Sequence, residues 1–336
     1  MTSLQLAHYA NLFLYVAMVA LTVAMLAFAV HVAFAPRPAR IPDPALVTVG
    51  GAAEEDVSDV SSSASDVSSS AEAAEDQGQR LLESRSDRWG RLGMTLSWLT
   101  TMLLVGSVIC RGLAVHRVPV ANMFEFTVVV TLLAMALYVG AALRRPLRWL
   151  GLFVTVPALL ALGLALTVWY SPAAELLPSL QSLWLAIHVP IATLSVAIFT
   201  IAFSVLLLQL ARERREQRLA AGESARSFLD ALPTAQTLDR FAYSMHVVAF
   251  PLWTFSLIAG AIWAQQAWGS YWNWDPKEVW TFIIWVIYAA YLHARATSGW
   301  SRRTGNILAI VGYVAIIVNF TVVNLYAGGQ HTYSGL

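Results

Sequence analysis

Cysteine occurs once in the 336 residues, at Cys110, and lysine once, at Lys277. A single thiol excludes a disulfide framework, a CxxC redox pair and a thiolate zinc site built within the chain. It also excludes a CxxCH, so the chain is not itself a c-type cytochrome. Charge is scarce too, at 12% of residues against roughly a quarter in a soluble domain. In its place stands apolar character, 58% of residues. These residues gather in runs of about twenty, the length that crosses a hydrocarbon core of about 30 Å. The chain therefore reads as all-α, a polytopic membrane bundle.

Eight spans are drawn at about 9–33, 92–110, 124–143, 149–169, 183–210, 242–265, 279–297 and 306–326. No internal repeat is visible. The first run has no basic residues ahead of it and no small-residue cleavage site behind it, so it reads as a retained helix. Placing the loops after spans one, three, five and seven in the cytoplasm collects 18 of the 21 Lys and Arg. That asymmetry puts both termini on the external side. Only Arg111, Arg117 and Lys277 fall on the external side.

The chain then divides into an N-terminal transmembrane helix (1–34), a cytoplasmic linker (35–91) and a seven-helix membrane domain (92–336). From Glu54 to Asp76 the linker is Ser, Ala, Asp and Glu with little to bury, and disorder is expected there. The stretch 211–226, with its RERREQR, reads as a cytoplasmic extension of span five. It is either a solvated charged face or a docking surface.

The stretch Trp263–Trp285 reads WAQQAWGSYWNWDPKEVWTFIIW and holds six of the thirteen tryptophans. An interfacial aromatic belt accounts for Trp263, Trp280 and Trp285 at the ends of spans six and seven. It leaves Trp268, Trp272 and Trp274, which lie with Tyr271 in the external loop, within 263–280. A shelf of large rigid rings suits a flat, apolar, ring-shaped ligand. Trp272 and Trp274 are expected to face it, with Trp263 and Trp285 as anchors. Asp275-Pro276-Lys277-Glu278 has the pattern of a capped helix start. Lys277 is either a solvated charge or the partner of a ligand carboxylate.

WGSYWNWDPKEVWTFIIWVIYAAYLHAR closely resembles the tryptophan-rich signature of the CcsA or ResC family of system II cytochrome c biogenesis, named CcsB in actinobacteria. The likeness continues through LQSLWLAIHVPIA (180–192), 239–265 and GGQHTY (328–333), and more loosely in HRVPVANMFEF (116–126). It covers the last five spans, and the N-terminal span and acidic linker show none of it. The resemblance implies a haem-handling protein of a bacterial plasma membrane, the cofactor being haem b. It implies that haem is brought to the external face and attached to the CxxCH of apocytochrome c. It further implies a cytochrome c synthase whose other subunit is a ResB-type membrane partner, with no nucleic acid involved.

Imidazole is the usual axial ligand of haem iron, and depth sorts the seven histidines. His188, about five residues into span five, and His331, past span eight, share the level of the tryptophan loop. Taken singly, each reads as an interfacial or solvent histidine. The resemblance makes them the external pair of iron ligands. His293 lies fifteen residues past Glu278, about 22 Å down the helix axis. It is either an inner-interface histidine or, as the resemblance implies, part of an inner haem site shared with the partner. Histidines 8, 31, 116 and 246 read as structural or solvent-facing. Glu125 reads as a helix cap or as a group that orients a ligand. The candidate cofactor-binding set is thus His188, His331, His293, Trp268, Trp272, Trp274, Asp275, Lys277 and Trp280. Two other readings stay open, a haem chaperone of the CcmC kind that forms no thioether and a non-haem transporter gated by the tryptophan loop. The usual six spans of the first, and the charged midplane residues demanded by the second, fit this chain less well.

Overall fold

The computed structural model describes residues 2–34, 61–173, 181–223 and 227–331. Eight helices long and apolar enough to cross a membrane occur among them, and no strand does. They are α1 (Ser3–Ala33), α2 (Ser61–Val115), α3 (Met123–Ala142), α4 (Gly151–Thr167), α5 (Leu183–Ala220), α6 (Ala235–Trp268), α7 (Pro276–Ala296) and α8 (Arg302–Val318). A 3₁₀ turn, Arg148–Leu150, leads into α4, and α8 runs on through a π-helical turn, Asn319–Val323. The eight expected spans are all present, because an apolar run of that length satisfies its backbone groups in lipid only as a helix.

Side chains set where the helices begin. Asn122 caps α3 by accepting from Glu125 N at 2.8 Å, and Ser182 caps α5 by accepting from Trp184 N. Small residues set how closely the helices pack. Phe28 of α1 fills the space beside Gly151, where a Cβ would come within 2.5 Å of its ring, and beside Gly93 at 2.9 Å. Ser107 of α2 donates to the Ala10 carbonyl at 2.8 Å. His31 Nδ1 lies 2.8 Å from the Ser86 carbonyl, and the Ser86 hydroxyl donates to the His31 carbonyl at 3.0 Å, a tie between α1 and α2 in keeping with a structural role. One buried cluster joins α1 to α5 and α6 around Leu21, Leu104 and Met135, and a second joins α5 to α8 around Phe199, Ile284 and Tyr288. His246 is 2% exposed in the second, its Nδ1 bonded to the Ala242 carbonyl at 2.7 Å.

Two expectations need correction. The stretch 54–76 was expected to lack structure, yet α2 begins at Ser61. Its alanines and glutamates are good helix formers, and extending a nucleated helix is far easier than starting one. Residues 54–60 lie outside the described residues. The charged end of α5 is not simply a solvated face either. A 3₁₀ turn, Phe228–Ala231, folds back so that Asp230 meets Arg215 at 2.9 Å and Arg212 at 3.3 Å, both arginines being buried. Arg215 holds the Asp230 carboxyl below the ordinary carboxylate value.

Candidate functional site

The end of the bundle that carries the loop between α6 and α7 encloses a cavity of about 220 Å³. Its wall comes from the start of α3, the first turns of α5, the last four turns of α6, the start of α7 and the end of α8. Along α6 the lining residues Trp253, Ser256, Gly260, Trp263 and Ala264 recur every three or four positions, one face of a helix. Two prolines, Pro190 in α5 and Pro251 in α6, each remove one rung of the helix ladder beside this wall.

His188 reaches the cavity from α5. Its Nδ1 lies 3.4 Å from Ser256 Oγ, and its ring meets Trp263 edge-on at 5.7 Å. The imidazole fits only because residue 260 has no side chain, since a Cβ there would stand 2.9 Å from His188 Cε1. His331 arrives from past the end of α8, 143 positions away in the sequence, and lines the same cavity. Its Nδ1 is 3.1 Å from Asp275 Oδ1, and Trp268 packs edge-on at 4.6 Å. Burial pushes the His331 pKa below its ordinary value, while Asp275 pulls the other way. A neutral imidazole that donates from Nδ1 leaves the Nε2 lone pair for a metal.

Asp275 does two things at once. As the N-cap of α7 it accepts from Lys277 N at 3.0 Å, and Glu278 completes the capping box by accepting from Asp275 N at 3.2 Å. The structural reading of Asp275 and Glu278 therefore holds. In addition, Asp275 Oδ2 accepts from Gln330 N at 2.6 Å while Oδ1 faces His331. Gly329 is needed beside it, because a Cβ there would run into the carboxylate. Lys277 is not a solvated charge. It lines the cavity, with Nζ donating to the Asn319 carbonyl and to Asn324 Oδ1, each at 3.2 Å. The π-helical turn at Asn319 interrupts the regular backbone ladder where Lys277 approaches it.

Of the expected set, His188, His331, Trp268, Trp272 and Lys277 line one cavity, with Asp275 directly behind His331. Trp274, Trp280 and His293 are not among its lining residues. Trp274 points to solvent, 77% exposed, from a backbone at φ +57°. Trp280 packs into the core between α5 and α8. His293 is exposed near the far end of α7. Conversely, Trp263 lines the cavity instead of serving only as an anchor. Its indole Nε1 is buried with no acceptor among the described residues, a donor suited to an acceptor on a ligand. Trp285 instead hydrogen-bonds Thr254 at 3.0 Å between α6 and α7.

A cavity walled by indole and phenyl rings, with two imidazoles, one ammonium and the carboxylate of Glu278, suits a flat apolar ligand that carries a metal. The sequence matches the Cytochrome C assembly protein family over residues 89–331. It is 33% identical over 294 residues to the cytochrome c biogenesis protein CcsA of Gloeobacter violaceus, spanning 73% of this chain and 87% of that one. The chain belongs to the CcsA family. The protein of the same name from Prochlorococcus marinus strain NATL1A is 34% identical over 260 residues, spanning 70% and 82% of the two chains. That from Microcystis aeruginosa is 32% identical over 288 residues, spanning 73% and 87%. A role in cytochrome c biogenesis follows from this membership.

The region matched to the cytochrome c assembly family takes in every cavity-lining residue and leaves out α1. Sequence reasoning about this CcsA-family chain missed Trp253, Ser256 and Gly260. A glycine inside a helix costs about 1 kcal/mol relative to alanine, and Gly260 was a readable sign of close approach. Glu125 does not line the cavity but braces the wall beside it. It is fully buried between Arg111 at 3.0 Å and Arg117 at 2.7 Å, and it accepts from Ala121 N at 3.0 Å. This cluster fixes the α2–α3 loop whose residues 120–123 line the cavity.

Proposed function

We propose that the protein binds haem in this cavity, with His188 and His331 as the two axial ligands, and presents it for covalent attachment to apocytochrome c. The observation that carries the reading is the arrival of two imidazoles, 143 positions apart in the sequence, in one aromatic-walled cavity. Each has Nδ1 directed at another group, Ser256 or Asp275, which leaves Nε2 for iron. The basic residues gathered towards the other end support an external position for the cavity at the plasma membrane. Trp263 Nε1 and Lys277 are donors for the haem propionates, and the aromatic wall excludes water from the ring face.

Each thioether forms by adding one cysteine S–H across one haem vinyl C=C, so atoms balance and no electron is exchanged. The chain's own contribution is to bind and orient haem b and leave its vinyl edge accessible. The histidine of the CxxCH replaces one protein ligand as haem leaves. A ResB-type membrane subunit completes the synthase. Purified from cells, the protein is expected to carry haem with a six-coordinate, low-spin spectrum that sharpens on adding dithionite. A preparation of folded protein without a Soret band would refute the reading.

His293 belongs to a separate, inner haem site that supplies the outer one. About 22 Å of helix separates it from Glu278 in the first turn of α7, so it cannot share an iron with His188 and His331. No side-chain partner for it occurs among the described residues, and it is exposed on the bundle, as fits a ligand completed by another subunit. In His293→Ala, haem per protein at the outer site should fall while the haem that remains keeps its bis-histidine spectrum. Normal haem occupancy and cytochrome c maturation in both Ala and Asn variants, expressed with the partner, would reduce His293 to a structural residue.

A further inference from the structure

Trp274 was expected inside the site, and the structure turns it out. It is the most exposed tryptophan among the described residues, at 77%. Apart from His116, it is also the only non-glycine described at positive φ. A bulky residue rarely holds that conformation without something fixing it. Here Glu278, itself buried, takes the backbone N–H on both sides of Trp274, from Asn273 at 2.8 Å and from Asp275 at 3.2 Å. Asn273 is held further by Gln330 at 3.1 Å and by the Ser270 hydroxyl. The indole of Trp272, a cavity residue, meets that of Trp274 edge-on at 6.0 Å. A continuous aromatic path therefore leads from the cavity wall to an outward ring whose direction is fixed.

A tryptophan that only floats at a membrane surface needs no such restraint, since any backbone conformation lets it do so. A ring held at a set position against the site needs it. We propose that Trp274 is the docking point for the acceptor polypeptide, the cysteine-bearing apocytochrome segment, and sets that segment's place relative to the cavity. This rests on the haem-attachment reading above for the identity of the partner. Continuity with the cavity favours that occupant over lipid. Tyr271, 61% exposed and yet a lining residue, forms part of the same rim. The adjoining Asp275 holds His331, so an acceptor seated on Trp274 lies one residue from the support of the ligand it must displace.

The experiment measures binding of a fluorescent CxxCH-containing apocytochrome peptide to the full chain with its partner subunit, beside haem per protein. Trp274→Gly is the informative variant, because glycine takes positive φ without strain and leaves Asn273 and Asp275 in place. Peptide affinity is expected to fall on the order of tenfold or more, the loss typical of a central aromatic contact, with haem content and Soret band unchanged. Trp274→Phe should recover most of the affinity. Unaltered peptide affinity in Trp274→Gly would overturn the proposal and leave an interfacial anchor. Lost haem or a shifted Soret band in that variant would also overturn it, by making Trp274 part of the cavity wall. A wild-type chain that bound peptide through Trp274 but carried no haem would keep the docking role and remove the haem reading instead.

Discussion

Replacing both His188 and His331 with alanine is expected to empty the cavity of haem and abolish cytochrome c maturation. Either single variant should keep a fraction of the haem with a changed Soret band, since one imidazole and the aromatic wall remain. Removing an outer-shell support of a metal ligand typically costs 10- to 100-fold in affinity, and deleting the ligand itself should cost more. The two positions do not predict equal side effects. His188 is packed against Gly260 and Trp263 inside the bundle, so alanine there leaves a void as well as a missing ligand. His331 sits beyond α8, and its loss mainly releases Asp275. Added imidazole should therefore restore maturation better in His331→Ala than in His188→Ala. An unchanged haem spectrum in both single variants would end the assignment.

The second large effect concerns Asp275, whose two oxygens serve both the start of α7 and the hold on His331. The two jobs separate by substitution. Asparagine caps a helix about as well as aspartate, whereas alanine loses about 1 kcal/mol of helix stability. Asparagine nevertheless removes the charge that faces the imidazole. Asp275→Asn should thus melt close to wild type yet retain haem about 10- to 100-fold less tightly. Asp275→Ala should show the same haem defect plus a lower melting temperature. Haem retention at the wild-type level in Asp275→Asn would mean that the carboxylate acts only as a cap.

The spans were readable because a membrane leaves one solution for an apolar run of twenty residues. The ends were less so. α2 continues to Ser61 because helix extension does not require apolar residues, which hydropathy cannot register. Depth alone placed His188 and His331 at one level, and the fold brings them to one cavity. The tryptophans show the limit most clearly. Position along the chain assigned Trp263 to the interface and Trp274 to the ligand, whereas Trp263 lines the cavity and Trp274 faces away from it. Helical phase would have corrected the first, since Trp263 repeats the face of Trp253, Ser256 and Gly260. Nothing in the sequence announces the second. The outward turn of Trp274 comes from a buried glutamate gripping its neighbours, a contact made only once α7 has formed.

The solitary cysteine acquires a different meaning beside this cavity. Cys110 lies in α2, is partly buried, and is not one of the residues lining the cavity. On the proposed haem-attachment reading, the reactive vinyl groups would be held away from the chain's own thiol. The chain would then not be alkylated by its own cargo, and its thiol would not meet the acceptor's cysteines at the cavity. Under that reading, inertness toward the reaction it hosts would let such a chain turn over repeatedly without becoming its own product.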